Sequence, residues 1–198
     1  MKYLSFDIEA TGLAENDLII EYAMVPFDVK TKTIEHQLSF HTYIKCPSFD
    51  ELRPRLDSWV IENNQKLIEK AHSTGVELSQ FKSQFTGYLE SDEVLNYFKD
   101  TPLGDKNKII LFGKSLNAID LPFLNRDLGW DFMRKYFHHQ VLDLSSIIMG
   151  MIDTKQLPER CLSGSELMNY LNMGEVAHTA LEDAINTAKI YLELVSKS

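Results

Sequence analysis

The chain of 198 residues carries 20 Lys plus Arg against 29 Asp plus Glu, a formal charge of −9. That balance argues against a protein that tracks long nucleic acid on a basic surface, though not against a compact site where cations supply the positive charge. With 44% apolar and 25% charged residues, and no apolar run of eighteen, the composition is that of an ordinary soluble protein with no expected membrane span.

In chain order, residues 2–8 form an apolar, β-prone run, the first expected strand. ATGLAEND is a turn. Residues 18–29 read as strand two and 33–45 as strand three, with alternation in SFHTYI and a hairpin turn at KTKT. The middle turns helical: 59–73 and 78–98 carry apolar residues at three- and four-residue spacing. TPLGDKNK is a polar loop and 109–113 a short buried strand. IDLPFLNRDL is a helix with its Pro in the first turn, where Pro is tolerated. VLDLSSIIMGMI is a short strand running into a helix, LPERCLSG a loop, and SGSELMNYL a Ser-capped helix.

The last helix is the clearest. From residue 178 to 195, Ala180, Leu181, Ala184, Ile185, Ala188, Tyr191, Leu192 and Val195 make one apolar face. A three-stranded antiparallel meander followed by alternating helices and strands is an α/β domain with a mixed sheet. No repeat, low-complexity segment or linker divides it, so one domain over 1–198 is expected. Cys46 and Cys161 lack metal-ligand spacing, and MKYLSFDIEATGL lacks the features of a signal peptide. Free thiols in a reducing cytoplasm are the expectation.

Asp7 and Glu9 sit two residues apart on the first strand, so their side chains leave one face. A charge in a central strand is costly unless paired. Asp120 follows the buried strand 109–113, and His178 and Asp183 open the last helix. Four carboxylates drawn together raise each other's pKa values, and hard divalent cations, Mg²⁺ or Mn²⁺, relieve the conflict. Two such ions suit an in-line phosphoryl displacement, with a His taking the proton of the attacking water.

FDIEATGL, GKSLNAIDLPFL and VAHTALEDA, in that order, resemble the three motifs of the DEDDh 3′–5′ exonucleases, and the resemblance runs from residue 3 to about residue 192. It implies a ribonuclease-H-like fold with a mixed five-stranded sheet, antiparallel meander plus parallel strands, flanked by helices. It also implies Asp7, Glu9, Asp120 and Asp183 as ligands of two divalent cations and His178 as general base. DSWVIENNQKLIEKAHSTGV and KYFHHQVLDLSS are similar to segments of the oligoribonuclease branch. That similarity implies Leu13 and Trp59 gripping terminal bases, beside Thr11 and Gly12, and a homodimer with Tyr136–Gln140 near the partner's site.

Two features depart from that pattern. Seven positions, not six, separate Gly113 from Asp120, and Phe137-His138-His139-Gln140 stands where the branch reads Phe-His-Tyr-Arg. The expected activity is release of nucleoside 5′-monophosphates from short single-stranded nucleic acid, oligoribonucleotides favoured. A proofreading-type DNA exonuclease and a non-catalytic nucleic-acid-binding module are the alternatives. Taken alone, Trp59 reads equally as core or as stacking platform, Leu13 as site or core, Asp120 as an N-cap, and Glu21 as a paired structural carboxylate near the site.

Overall fold

The computed structural model describes residues 1–100, 108–174 and 179–197. The expected base His178 and most of the loop expected at 101–108 lie outside them. Among the described residues no helix is long and apolar enough to cross a membrane.

Strand β1 (Lys2–Ala10) and strand β2 (Ile19–Asp28) form a long antiparallel hairpin running from Lys2↔Asp28 to Glu9↔Glu21. There the register slips by one residue, to Ala10↔Ile19, leaving Ile20 extra in β2. Such a bulge re-aims side chains and is common beside active sites. The next strands are β3 (Thr33–Ile34) and β4 (Phe40–Tyr43), both pairing with β2.

Helices α1 (Phe49–Leu52), α2 (Ser58–Asn63), α3 (Gln65–Thr74), α4 (Leu78–Leu89) and α5 (Asp92–Phe98) follow. Then come β5 (Leu111–Gly113), α6 (Asp120–Leu128), α7 (Trp130–Tyr136), β6 (Leu142–Asp143), α8 (Leu144–Asp153), α9 (Gly164–Leu171) and α10 (Ala180–Lys197). The sheet order is β3-β2-β1-β5-β6, with β5 parallel to both β1 and β6, so β1 is central.

The sheet thus has six strands rather than five. The expected strand 33–45 is cut by a 3-10 turn at His36–Leu38, giving β3 and β4. Two expected helices also divide. The run 59–73 breaks at Asn64, and 78–98 breaks where Ser91 caps α5 by accepting the Val94 amide.

The alternation in β1 explains the layers. Leu4, Phe6 and Ile8 face one side, packed with Phe81, Phe85 and Leu89 of α4 and with Leu124 and Leu128 of α6. Each fully buried Phe contributes about 1.5–3 kcal/mol. Tyr3, Ser5, Asp7 and Glu9 face the other side, where α10 lies. That face grades from packed to polar along the strand. Tyr3 joins Phe27, Phe112 and the apolar residues of α8, α9 and α10, while the Ser5 hydroxyl donates to the Ala184 carbonyl at 2.7 Å. The extra residue Ile20 is buried in a third cluster with α1, α2 and α3. Asp7 and Glu9 therefore emerge at the carboxyl end of the central strand, where β1 outruns β5.

Candidate metal and active site

Three elements converge on that strand end. Asp7 and Glu9 come from β1 and Asp183 from the first turn of α10, and each offers a carboxylate oxygen, all within 4.8 Å of one another. Asp120 is the first residue of α6 and is 4% exposed. Its carboxylate accepts the backbone N–H of Ile8, between Asp7 and Glu9. The unpaired edge of β1 beyond β5 leaves that amide free for a side chain. The seven-residue interval from Gly113 is taken up by a turn with Ser115 in the left-handed region (φ 58), whose carbonyl accepts the Ala118 and Ile119 amides.

Burial and mutual repulsion dominate the electrostatics of these carboxylates. Burial, then Asp120, Glu9 and Asp183, push the Asp7 carboxyl well above its ordinary range. Burial, then Asp183 and Glu21, raise Glu9 to about 7 against a hydrogen bond from Asn64 that lowers it. Burial raises Asp120 to about 7, opposed by the amides it accepts. An all-carboxylate donor set in which neighbouring acids raise Asp7 and Glu9 fits a hard divalent cation such as Mg²⁺ or Mn²⁺, which neutralises the repulsion.

A stability consequence follows for the cation-free protein. The folded pKa values of Asp7, Glu9 and Asp120 lie above those of the unfolded chain, so the folded state binds more protons in between. The stability from Glu9 and Asp120 is full below about pH 4 and is lost as pH rises through about 7, and Asp7 acts in the same direction. In chelator, Tm falls between about pH 4 and 7. Asp7→Asn flattens that decline, and Mn²⁺ restores Tm at neutral pH. Calorimetric melts across that range measure it, and a Tm independent of pH and of Mn²⁺ contradicts it.

Asn64 was not singled out by motif. It is buried at the junction of α2 and α3, and its side-chain amide donates to Glu9. A signal was present: Val60, Asn64 and Ile68 share one helical face, and all three are buried. A polar residue on that stripe needs a polar partner.

The loop joining β1 to β2 presents the other expected residues. Thr11 is buried, its hydroxyl donating to Asp17 Oδ1 (3.1 Å) and accepting the Leu18 amide (2.9 Å), so it braces the turn. A Cβ at Gly12 would lie 2.4 Å from Asp17 Oδ2, which is why glycine stands there. Leu13 is 75% exposed and forms one wall of a cleft of about 430 Å³ with Ile119, Pro122 and Phe123. Arg126 ties this loop to α6, donating to the Glu15 and Asp17 carbonyls at 2.7 Å each. Trp59, at the start of α2, is 58% exposed rather than core. His138 is buried and its Nδ1 accepts the Gln140 amide at 3.0 Å. The Tyr136 hydroxyl donates to Glu90.

No protein-family model and no curated protein sequence matches the chain. Solved structures do. The nuclease domain of 3′hExo, described as a DEDDh family member and solved bound to rAMP, aligns over 100% of this chain and 92% of its own, with TM-score 0.63 and 18% identity. Cell-death related nuclease 4 (CRN-4) aligns over 100% of this chain at TM-score 0.69 and 19% identity, and the chain spans 64% of that protein's length. S. pombe Pop2p, solved with Mg²⁺ and Mn²⁺ bound, aligns over 98% of this chain and 83% of its own at TM-score 0.67 and 14% identity. The chain has the ribonuclease-H-like fold. At these identities the likeness is one of architecture. The ribonuclease-H-like sheet here places its carboxylates at the end of the central strand.

Proposed function

We propose that the chain is a divalent-cation-dependent 3′–5′ exonuclease that releases nucleoside 5′-monophosphates from short single-stranded nucleic acid, with oligoribonucleotides favoured. The observation that carries the reading is the meeting of Asp7, Glu9 and Asp183 within 4.8 Å beside buried Asp120. Those four residues would hold two Mg²⁺ or Mn²⁺ ions. When bound, such ions stabilise the attacking and leaving oxygens of an in-line phosphodiester displacement. His178, which the sequence motif supplies just ahead of α10, takes the proton of the attacking water. Exposed Leu13 and Trp59 bracket terminal bases, and Thr11 with Arg126 holds the loop that presents Gly12 and Leu13. The charge of −9 disfavours long phosphate tracks and suits short substrates.

Degradation of matched RNA and DNA oligomers of two to twenty nucleotides tests the substrate class. The reading expects RNA of a few nucleotides to be consumed fastest. A preference for DNA would support the proofreading-type alternative, which the Phe137-His138-His139-Gln140 segment favours by lacking the branch's Tyr and Arg. Failure to degrade either would leave a binding module. Base stacking is worth about 1–3 kcal/mol. Trp59→Ala therefore raises KM about 5- to 150-fold with little change in kcat, Leu13→Ala raises it in the same direction through lost apolar contact, and steady-state kinetics on an RNA pentamer check this. An unchanged KM in both variants removes the base-gripping roles.

A further inference from the structure

Glu21 is a fifth carboxylate at the site, and its presence needs a reason. It is 0% exposed, lies directly opposite Glu9 on the neighbouring strand, and adds to the repulsion on both Asp7 and Glu9. A buried acid is retained where its oxygens satisfy groups that would otherwise be orphaned. Glu21 Oε1 lies 2.6 Å from His41 Nε2, and the Tyr43 hydroxyl donates to the same carboxylate, both partners coming from β4. Glu21 Oε2 accepts the backbone N–H of Ala180 at 3.2 Å, across 159 residues of chain.

Ala180 is the first residue of α10, and the first amides of a helix have no partner within it. Thr179 serves two later amides of that turn, its hydroxyl accepting the Glu182 amide (3.4 Å) and its carbonyl the Asp183 amide (2.9 Å). Glu21 serves Ala180 from β2. On the far side of Asp183, the Ser5 hydroxyl holds the Ala184 carbonyl. Asp183 thus sits between two ties to the sheet, one to each strand of the hairpin that carries Asp7 and Glu9.

We propose that Glu21 is a positioning residue: it pins the first turn of α10 to β2 and so holds Asp183 against Asp7 and Glu9 as a preorganised divalent-cation shell. This rests on the reading that those carboxylates bind a cation, and not on the nuclease activity. The role requires reach and an acceptor oxygen rather than charge. Glu21→Gln keeps the reach and one acceptor and loses the charge. Glu21→Asp keeps the charge and shortens the side chain by one methylene.

The test is Mn²⁺ calorimetry on the parent and both variants, with hydrogen exchange of the 180–184 amides in chelator. The expected result is that Glu21→Asp weakens Mn²⁺ binding at least tenfold. It also speeds exchange in the first turn of α10 while β5 amides stay protected. Glu21→Gln remains within threefold of the parent on both readouts. If Glu21→Gln loses Mn²⁺ affinity while its 180–184 amides stay protected, Glu21 acts by charge or as a ligand and the proposal fails. If neither variant changes exchange at 180–184, it fails as well. If the parent binds no Mn²⁺, the shell itself is refuted. Parent Mn²⁺ binding with the predicted variant pattern but no cleavage of RNA or DNA would overturn the exonuclease reading and leave this inference standing.

Discussion

Asp120→Asn lowers kcat by about 10²–10³-fold or more while the protein folds as the parent does. The asparagine side chain keeps an oxygen to accept the Ile8 amide, so the start of α6 and its contact with β1 survive. On the proposed reading a negative cation ligand is lost. Lewis-acid stabilisation of a phosphoryl transfer is worth several kcal/mol, and each ~1.4 kcal/mol is tenfold in rate. Asp7→Ala and Asp183→Ala act in the same direction, because each removes one of the oxygens that meet within 4.8 Å. Each also relieves repulsion in the cation-free protein, so Tm in chelator at neutral pH should rise modestly. Single-turnover rates on a labelled RNA pentamer, with circular dichroism to establish folding, measure this. Folded variants that turn over near the parental rate would show that these carboxylates are not the ligands.

The second large effect is at His178. His178→Ala should lower kcat about 10²–10⁴-fold, the usual worth of a general base, and leave cation and oligonucleotide binding largely unchanged. An imidazole is a poor addition to a hard-cation shell already served by carboxylates. With Mn²⁺ saturating, the parental rate rises with pH through a value near 6.5, and the variant loses that limb. Calorimetric titration of Mn²⁺ and fluorescence anisotropy with a non-hydrolysable oligonucleotide separate binding from turnover. A large loss of Mn²⁺ affinity would make His178 a ligand, and a parental rate would mean that water is activated without it.

The approach of these acids to one another was legible because each is marked locally in the sequence. Two acids on one strand face, an acid at the start of a helix after a buried strand, and an acid in the first turn of the last helix each stand out by residue type and position. Three of them meet, with Asp120 bonded to the strand between the first two. What stayed hidden depends on partners far away in the chain. The periodicity of Val60, Asn64 and Ile68 continues unbroken through 59–73. The break at Asn64 goes with a side chain turned to Glu9, which no window around Asn64 contains. The 3-10 turn at His36–Leu38 has no Gly or Pro to announce it, so alternation alone ran β3 and β4 together. Glu21 was readable as a buried paired acid, but its hold on Ala180 exists only once the hairpin and the last helix are packed. Likewise Trp59 and Leu13, ambiguous as sequence, are resolved as exposed by the surfaces around them.

The measurement closest to the central claim is product analysis from a 5′-labelled RNA pentamer incubated with the parental protein. The account predicts a ladder shortening one nucleotide at a time from the 3′ end, with nucleoside 5′-monophosphate released. Turnover should require Mn²⁺ or Mg²⁺, should not be supported by Ca²⁺, whose looser geometry does not align the attacking water, and should stop in excess chelator. Full turnover in excess chelator, or internal fragments without mononucleotide, would contradict it.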